Sequence, residues 1–501
     1  MIASLIPEFV TQHAPVLQVV IPLMGAALCS MLWRPRLAWG FALLVAWVTF
    51  LIAVALLYNV LQTGPISYEI GGWAAPLGIE YRVDALGAFV IFLVASMAAV
   101  VTPYARDSVE QELEPNRISL FYTLYLLFIA GMLGILVTGD VFNLFVFLEI
   151  SSLSVYVLIS MGRDRRALTS AFSYLVMGSI GATFIVIGIG LMYAMTGTLN
   201  MADLAMRLPA VMDTRTIPVA LAFITVGISL KLALFPLHLW LPNAYTFAPS
   251  AVSAIVASTS SKVAVYMFLR FFFTIFGVGF AFDVMGLQYV LMPLALIAAL
   301  ATSLVAIFET NVKRLLAYSS LAQIGYIVLG ISFGTELGVT AAILHVFNHG
   351  LMKGALFLAV GCLVYRIGSV DLHHIRGIGR RMPLTMAAVV AGGLSLIGMP
   401  LTVGFISKWY LLLAAVDRGW WPIVIVLLAT SLMAMIYIWR IVEAAYFQPL
   451  PDEHADVREA PLTLLIPTWI LVTANFYFGI DSSFTTDIAR RAAESLLGML
   501  P

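Results

Sequence analysis

The chain is a succession of apolar runs separated by short polar connectors. A run of about 18 apolar residues is long enough for a helix to cross a hydrocarbon core of about 30 Å. Fourteen such runs are predicted, near 16–33, 37–57, 83–103, 118–138, 140–161, 168–195, 216–236, 248–276, 285–308, 315–332, 337–365, 384–413, 422–446 and 461–480. Two of them are interrupted. Lys231-Leu-Ala-Leu-Phe-Pro236 leads into a second apolar piece ending at Pro242, and Gly398-Met399-Pro400 divides the run that carries Lys408. Proline inside a helix frees a backbone carbonyl, which a membrane tolerates only where protein or water satisfies it. The pattern therefore predicts an all-α polytopic membrane protein, a single membrane domain over 1–501, with two broken helices. The wording before each break is similar, Gly227-Ile-Ser-Leu230 and Gly393-Leu-Ser-Leu396, a short hint of internal repetition.

An even number of spans puts both termini on one side. Alternating the connectors gathers Arg34, Arg36, Arg106, Arg117, Arg163, Arg165, Arg166, Lys313, Arg314, Arg366, Arg376, Arg380 and Arg381 on one face. The opposite connectors hold mainly Arg82, Arg207, Arg215 and Arg418, besides Arg490 and Arg491 in the tail. The excess of basic residues makes the first face cytoplasmic and puts both termini outside. The first run follows Glu8 and His13 instead of a basic segment, so no cleaved signal peptide is expected.

Composition sharpens this picture. With 62% hydrophobic and only 10% charged residues, the chain is far from the roughly one-quarter charged composition of soluble domains. Its formal net charge is +0, so no global basic field recruits nucleic acid. Cys29 and Cys362 lie far apart in apolar spans and form neither a CxxC pair nor a disulfide framework; they read as small buried hydrophobes.

The candidate chemistry lies in ionisable residues inside the spans: Glu149, Lys231, Lys262, His345, His349, Lys353 and Lys408. A charge at the centre of a lipid-facing helix costs roughly 2.5 to 3.5 kcal/mol, so Glu149 and three deep lysines together would cost about 12 kcal/mol in lipid. They must face protein or water, and titratable groups along an interior cavity are what proton movement requires. Glu149 and Lys231 can offset each other's desolvation, either as a switchable pair or as a static clamp; the broken helix beside them favours the switch. Lys262 sits among small hydroxyls in Ala257-Ser-Thr-Ser-Ser-Lys262, which leave room for water. His345, His349 and Lys353 recur every four residues, on one helical face, and imidazole is the natural relay group near neutral pH. Two histidines on one face of one helix cannot approach a haem iron from opposite sides, and no cysteine or carboxylate on that span completes a zinc site. No flavin or iron-sulfur ligand set is present either, so no cofactor and no metal are expected. Lys408 has no acid on its own span; a partner's carboxylate or loss of its proton would relieve the charge.

These residues also carry a family resemblance. Lys231-Leu-Ala-Leu-Phe-Pro-Leu-His-Leu-Trp-Leu-Pro-Asn-Ala-Tyr245, Leu316-Ala-Tyr-Ser-Ser320 and His345-Val-Phe-Asn-His-Gly-Leu-Met-Lys-Gly-Ala-Leu-Phe357 resemble the antiporter-like subunits shared by respiratory complex I and the multisubunit Mrp cation/proton antiporters. The resemblance runs from about Asp84 to Trp409. It implies two inverted five-helix repeats, 118–276 and 285–446, broken seventh and twelfth helices, and a hydrophilic axis along the membrane plane. It also implies a role for each residue: Glu149 and Lys231 as modulating pair, Lys262 as bridging lysine, His345 and His349 as central relay, and Lys408 as terminal carrier. Lys353, Asp140, Ser319 and Ser320 are auxiliary candidates.

Within the family, the Mrp D-type chain is the best match. The M-type chain of complex I usually has glutamate where Lys408 stands, the N-type chain generally lacks the paired histidines, and the L-type chain of complex I and the A-type chain of Mrp run well beyond a fourteenth helix. The implied function is that of a non-enzymatic, secondary-active transporter subunit in a bacterial-type cell membrane. It would carry protons in a complex that exchanges sodium, with other membrane subunits as partners. A proton-pumping subunit of complex I or of an energy-converting hydrogenase is the alternative. Glu149 is the only deep acid, and a sodium cage wants several oxygens, so the sodium route is expected elsewhere in the complex.

Overall fold

The computed structural model describes residues 8–499. In chain order the helices are α1 (Glu8–Cys29), α2 (Pro35–Thr63), α3 (Ala85–Glu112), α4 (Ile118–Val137), α5 (Val141–Ser160), α6 (Arg166–Thr196), α7 (Met201–Arg207), α8 (Thr216–Leu232), α9 (Trp240–Phe247), α10 (Ser250–Leu269), α11 (Leu287–Phe308), α12 (Val312–Ser332), α13 (Glu336–Ile367), α14 (Pro383–Ile397), α15 (Val403–Asp417), α16 (Trp421–Phe447), α17 (Leu462–Ile480) and α18 (Ser483–Leu496). Among the described residues, twelve helices are long and apolar enough to span a membrane. The shorter apolar α8 and α14, each continued by its partner α9 or α15, supply the seventh and twelfth crossings, so the expected fourteen are present.

Burial separates centre from rim. The spanning windows of α10 and α12 are 94% buried, whereas those of α6, α11 and α16 are 39% buried. α13 threads the middle, packed against α3, α10, α12, α14, α15, α17 and α18. Small residues permit this closeness, as is usual between membrane helices: a Cβ on Gly350 of α13 would come 3.1 Å from the Ser258 carbonyl of α10.

Two features lie outside the fourteen-span expectation. An antiparallel ribbon of β1 (Ile66–Glu69) and β2 (Glu80–Val83) closes the α2–α3 connection, with Ile66 opposite Val83 and Glu69 opposite Glu80. α18 is amphipathic: Ile488, Ala489, Ala492, Ala493 and Leu496 are buried against α13 and α3, while Arg490 and Arg491 are exposed.

A second pattern recurs on both faces. Asp140, the N-cap of α5, forms an antiparallel bridge with Asn200, and Asn311, the N-cap of α12, forms one with Asp371. Each bridge carries paired backbone bonds, Val141 N to Leu199 O at 2.9 Å and Met201 N to Gly139 O at 2.8 Å in one, Val312 N to Val370 O and Leu372 N to Thr310 O, both 2.9 Å, in the other. The first follows the fourth span and the second the ninth, so parity puts them on opposite sides of the membrane.

The breaks are strained as well as interrupted. Among the described residues, only Ala233 (φ +59°) and Leu401 (φ +70°) are non-glycine residues with positive φ, and each lies in one of the two breaks. Such conformations cost about 1–3 kcal/mol and persist only where the surroundings enforce them. At the second break α15 folds back on α14 so tightly that a Cβ on Gly404 would overlap the Ser395 carbonyl. Because that neighbour is backbone, Gly404→Ala is expected to destabilise the protein by about 3 kcal/mol or more, read as a lower unfolding temperature and folded yield of the detergent-solubilised chain.

Candidate functional site

The first cluster is built on α5 and α8. Glu149, Ser152 and Tyr156 occupy one face of α5 at spacings of three and four residues. Lys231, in the last turn of α8, reaches all three: its ammonium is 3.8 Å from Glu149 Oε1 and donates to Ser152 Oγ at 2.8 Å and to Tyr156 Oη at 3.4 Å. The ion pair is therefore loose. The lysine side chain is 4% exposed and the glutamate 29%, so the cation is anchored by hydroxyls at a buried position while the carboxylate keeps partial access to its surroundings. Tyr156 is held in turn by α6, where a Cβ on Gly178 would overlap the phenol oxygen. Gly178→Ala is thus expected to push the phenol off Lys231 and to destabilise the protein by about 1.5 kcal/mol or more, the worth of one hydrogen bond to a charged group; a lower unfolding temperature of the detergent-solubilised chain measures it.

From here to the next titratable group there is a gap. A cavity of about 20 Å³ lies between Lys231 and Ser152 on one side and Ser260 and Ala264 of α10 on the other. It has room for about one water molecule. Ser260 Oγ is buried there with no hydrogen-bond partner among the described residues. Lys262 itself is fully buried and donates to the Ala257 carbonyl at 2.6 Å and to Ser261 Oγ at 3.2 Å.

The second cluster joins α10, α12, α13 and α15. His349, near Lys262 and Lys353, has no hydrogen bond to either ring nitrogen from the described residues. It stacks on His345, with centroids 6.0 Å apart and planes 17° from parallel. His345 is fixed at both ends, Nδ1 to Ser407 Oγ at 2.8 Å and Nε2 to Gln323 Oε1 at 2.9 Å. The Gln323 amide oxygen can only accept, so Nε2 carries the proton of the neutral ring and Nδ1 accepts from the Ser407 hydroxyl. Lys353 donates to the Leu316 carbonyl at 2.8 Å and to Ser319 Oγ, tying α13 to α12.

Lys408 completes the series. Its ammonium donates to Leu396 O (3.1 Å), Ile397 O (2.9 Å) and Ser431 Oγ (3.2 Å) and lies 5.2 Å from the centre of the Tyr326 ring. No carboxylate of the described residues forms an ion pair with it. The carbonyls are those left open where α14 stops, the negative end of a helix dipole. The break itself thus stabilises the cation. Tyr326 also meets His345 edge-on at 5.8 Å, so it touches both members of this part of the series.

Not every candidate joins the axis. Asp140 caps α5, accepting from Asn143 N at 2.7 Å, about 14 Å along the helix from Glu149; burial pushes its carboxyl above the usual range, against the N–H groups of Asn143 and Phe142. Ser320 bonds to its own helix, at Leu316 O. Conversely, Ser152, Tyr156, Gln323, Tyr326, Ser407 and Ser431 touch the titratable groups without having been singled out in the sequence. Ser319, Gln323 and Tyr326 share one face of α12, a spacing from which they could have been found. A second buried ion pair, Arg270 with Asp84, joins the end of α10 to the cap of α3.

Residues 138–434 match the family model described as NADH:quinone oxidoreductase/Mrp antiporter, TM. The chain is 41% identical over 476 residues to the N-type chain of the NADH-quinone oxidoreductase of Desulforudis audaxviator, covering 92% of this chain and 94% of that protein. It is 30% identical over 436 residues to the D-type chain of the Na(+)/H(+) antiporter of Alkalihalophilus pseudofirmus, covering 87% of each. A chain of the membrane-bound sulfane sulfur reductase, an archaeal respiratory membrane complex, superposes with a TM-score of 0.88 at 30% identity, over 96% of this chain and 97% of that one.

Proposed function

Because the chain belongs to the NADH:quinone oxidoreductase/Mrp antiporter transmembrane family, we propose that it is the proton-carrying subunit of a multisubunit sodium/proton antiporter, with Glu149, Lys231, Lys262, His349, His345 and Lys408 as the path. The observation that carries this reading is the second cluster: two stacked imidazoles, one free of protein hydrogen bonds and one held between Ser407 and Gln323, lead to a lysine held by neutral oxygens alone. A water between the two rings would let a proton on His349 pass to His345, and a proton there adds a like charge beside Lys408, which favours release of one of the two. Lys231 can move between Glu149 and the hydroxyls of Ser152 and Tyr156, which alters the field on Lys262 without breaking the helix.

The paired bridges on opposite faces support the inverted repeats at 118–276 and 285–446, with Lys231 and Lys408 each beside the broken helix of its half. The arginine distribution supports a cell-membrane orientation with both termini outside. Partners are further membrane subunits of the complex, and the sodium route belongs to them. At 100 mV one inward proton charge is worth about 2.3 kcal/mol, enough to assist outward sodium movement.

A second reading is a redox-driven proton pump subunit, favoured by the 41% identity to a protein named as part of a quinone oxidoreductase. The two separate in inverted vesicles containing the native complex. Antiport predicts that added sodium collapses an imposed pH gradient; the redox reading predicts no sodium response and proton uptake on addition of a reductant.

A further inference from the structure

Away from the charged axis, a cavity of about 650 Å³ lies between α2, α3, α13 and α17. Along α3 it extends from Arg106 to Phe92, about fourteen residues or roughly 21 Å of helix. Trp47, Phe50, Phe92, Phe347 and Phe478 wall it, with Phe92 and Phe347 stacked 6.4 Å apart. Its hydroxyls are committed elsewhere, Ser96 to the Phe92 carbonyl at 2.6 Å and Thr463 to Asp107. One end alone is cationic. There the Arg106 guanidinium lies 5.0 Å over the Trp39 ring, its Nε without a hydrogen-bond partner, and Asp107 stands 3.9 Å away with its other oxygen taken by Thr463. The Trp39 ring is a fixed platform, its N–H donating to the Thr102 carbonyl at 3.0 Å. Arg34 and Arg36, both exposed, lie in the connector on the same side of the membrane.

We propose that this groove is a binding site for one anionic phospholipid, its headgroup at Arg106 and an acyl chain laid along α3 toward Phe92. The bulky aromatic walls argue against a transmembrane helix of a partner, being the opposite of the small residues that let membrane helices approach each other. A slender acyl chain can lie between such rings, and the Arg106 guanidinium, only loosely paired with Asp107 at 3.9 Å, favours a phosphate-bearing headgroup of net negative charge.

The test uses the full chain in its native complex, carrying Phe92→p-benzoylphenylalanine, reconstituted in vesicles of equal phosphatidylglycerol and phosphatidylethanolamine. Illumination should attach a phospholipid to the chain, with phosphatidylglycerol enriched in the adduct, and Arg106→Gln should lower that enrichment by about fivefold, the worth of one basic residue at an anionic membrane surface. An adduct with another polypeptide would show that a protein occupies the groove. An adduct of unchanged lipid composition in Arg106→Gln, or no adduct in folded protein, would equally overturn the proposal.

Discussion

Lys408→Ala is expected to reduce sodium-driven collapse of a pH gradient to background, at least about a tenfold loss, equivalent to 1.4 kcal/mol on the rate. The residue lies at the end of the titratable series, with the Tyr326 ring against both it and His345. Removing the ammonium also strips the Leu396 and Ile397 carbonyls of their partner. An unsatisfied buried acceptor costs about 1–3 kcal/mol, so lost activity alone would not separate a carrier from a clamp. Lys408→Arg separates them. Arginine keeps a cation against the carbonyls but cannot give up its proton in a protein. A relay predicts an assembled, inactive Lys408→Arg complex, whereas a static clamp predicts that arginine restores exchange. Size-exclusion profiles of the complex, taken beside vesicle flux, distinguish the outcomes.

The spans were legible because lipid imposes one rule along the whole chain: long apolar runs must be helices. The fourth run, expected at 118–138, is the helix Ile118–Val137, and both breaks fall where proline and glycine signalled them. The first helix begins at Glu8 instead of near 16, extending past Pro15. The ribbon and α18 were missed because neither is a long apolar run; α18 reveals itself only through its helical periodicity. Charge parity read sign but not depth. Lys313 was sorted with the connector cations, yet it is 4% exposed and donates to the Ala248 carbonyl at 3.1 Å. Lys408 is held without a carboxylate because a helix break supplies open carbonyls, and the Gly398-Met399-Pro400 interruption, close by in sequence, is what opens them.

For the Glu149–Lys231 pair, Lys231→Met is expected to abolish transport and Glu149→Gln to lower it about tenfold, with the double variant no worse than Lys231→Met. The reasoning starts from the 3.8 Å separation. At an effective dielectric constant near 20, that distance is worth about 4 kcal/mol as an upper value, yet the short hydrogen bond of Lys231 is the 2.8 Å contact to Ser152. Ser152 and Tyr156 therefore keep the lysine in position when the carboxylate is neutralised, and what Glu149→Gln removes is the ability to draw the charge aside. Exchanging the two, Glu149→Lys with Lys231→Glu, sharpens the distinction. A static clamp is indifferent to which helix carries which sign, so the exchange should restore both assembly and flux. A switch depends on a lysine at the broken end of α8, so the exchange should restore assembly and leave flux at background; recovery of flux would overturn the switching role assigned to Lys231.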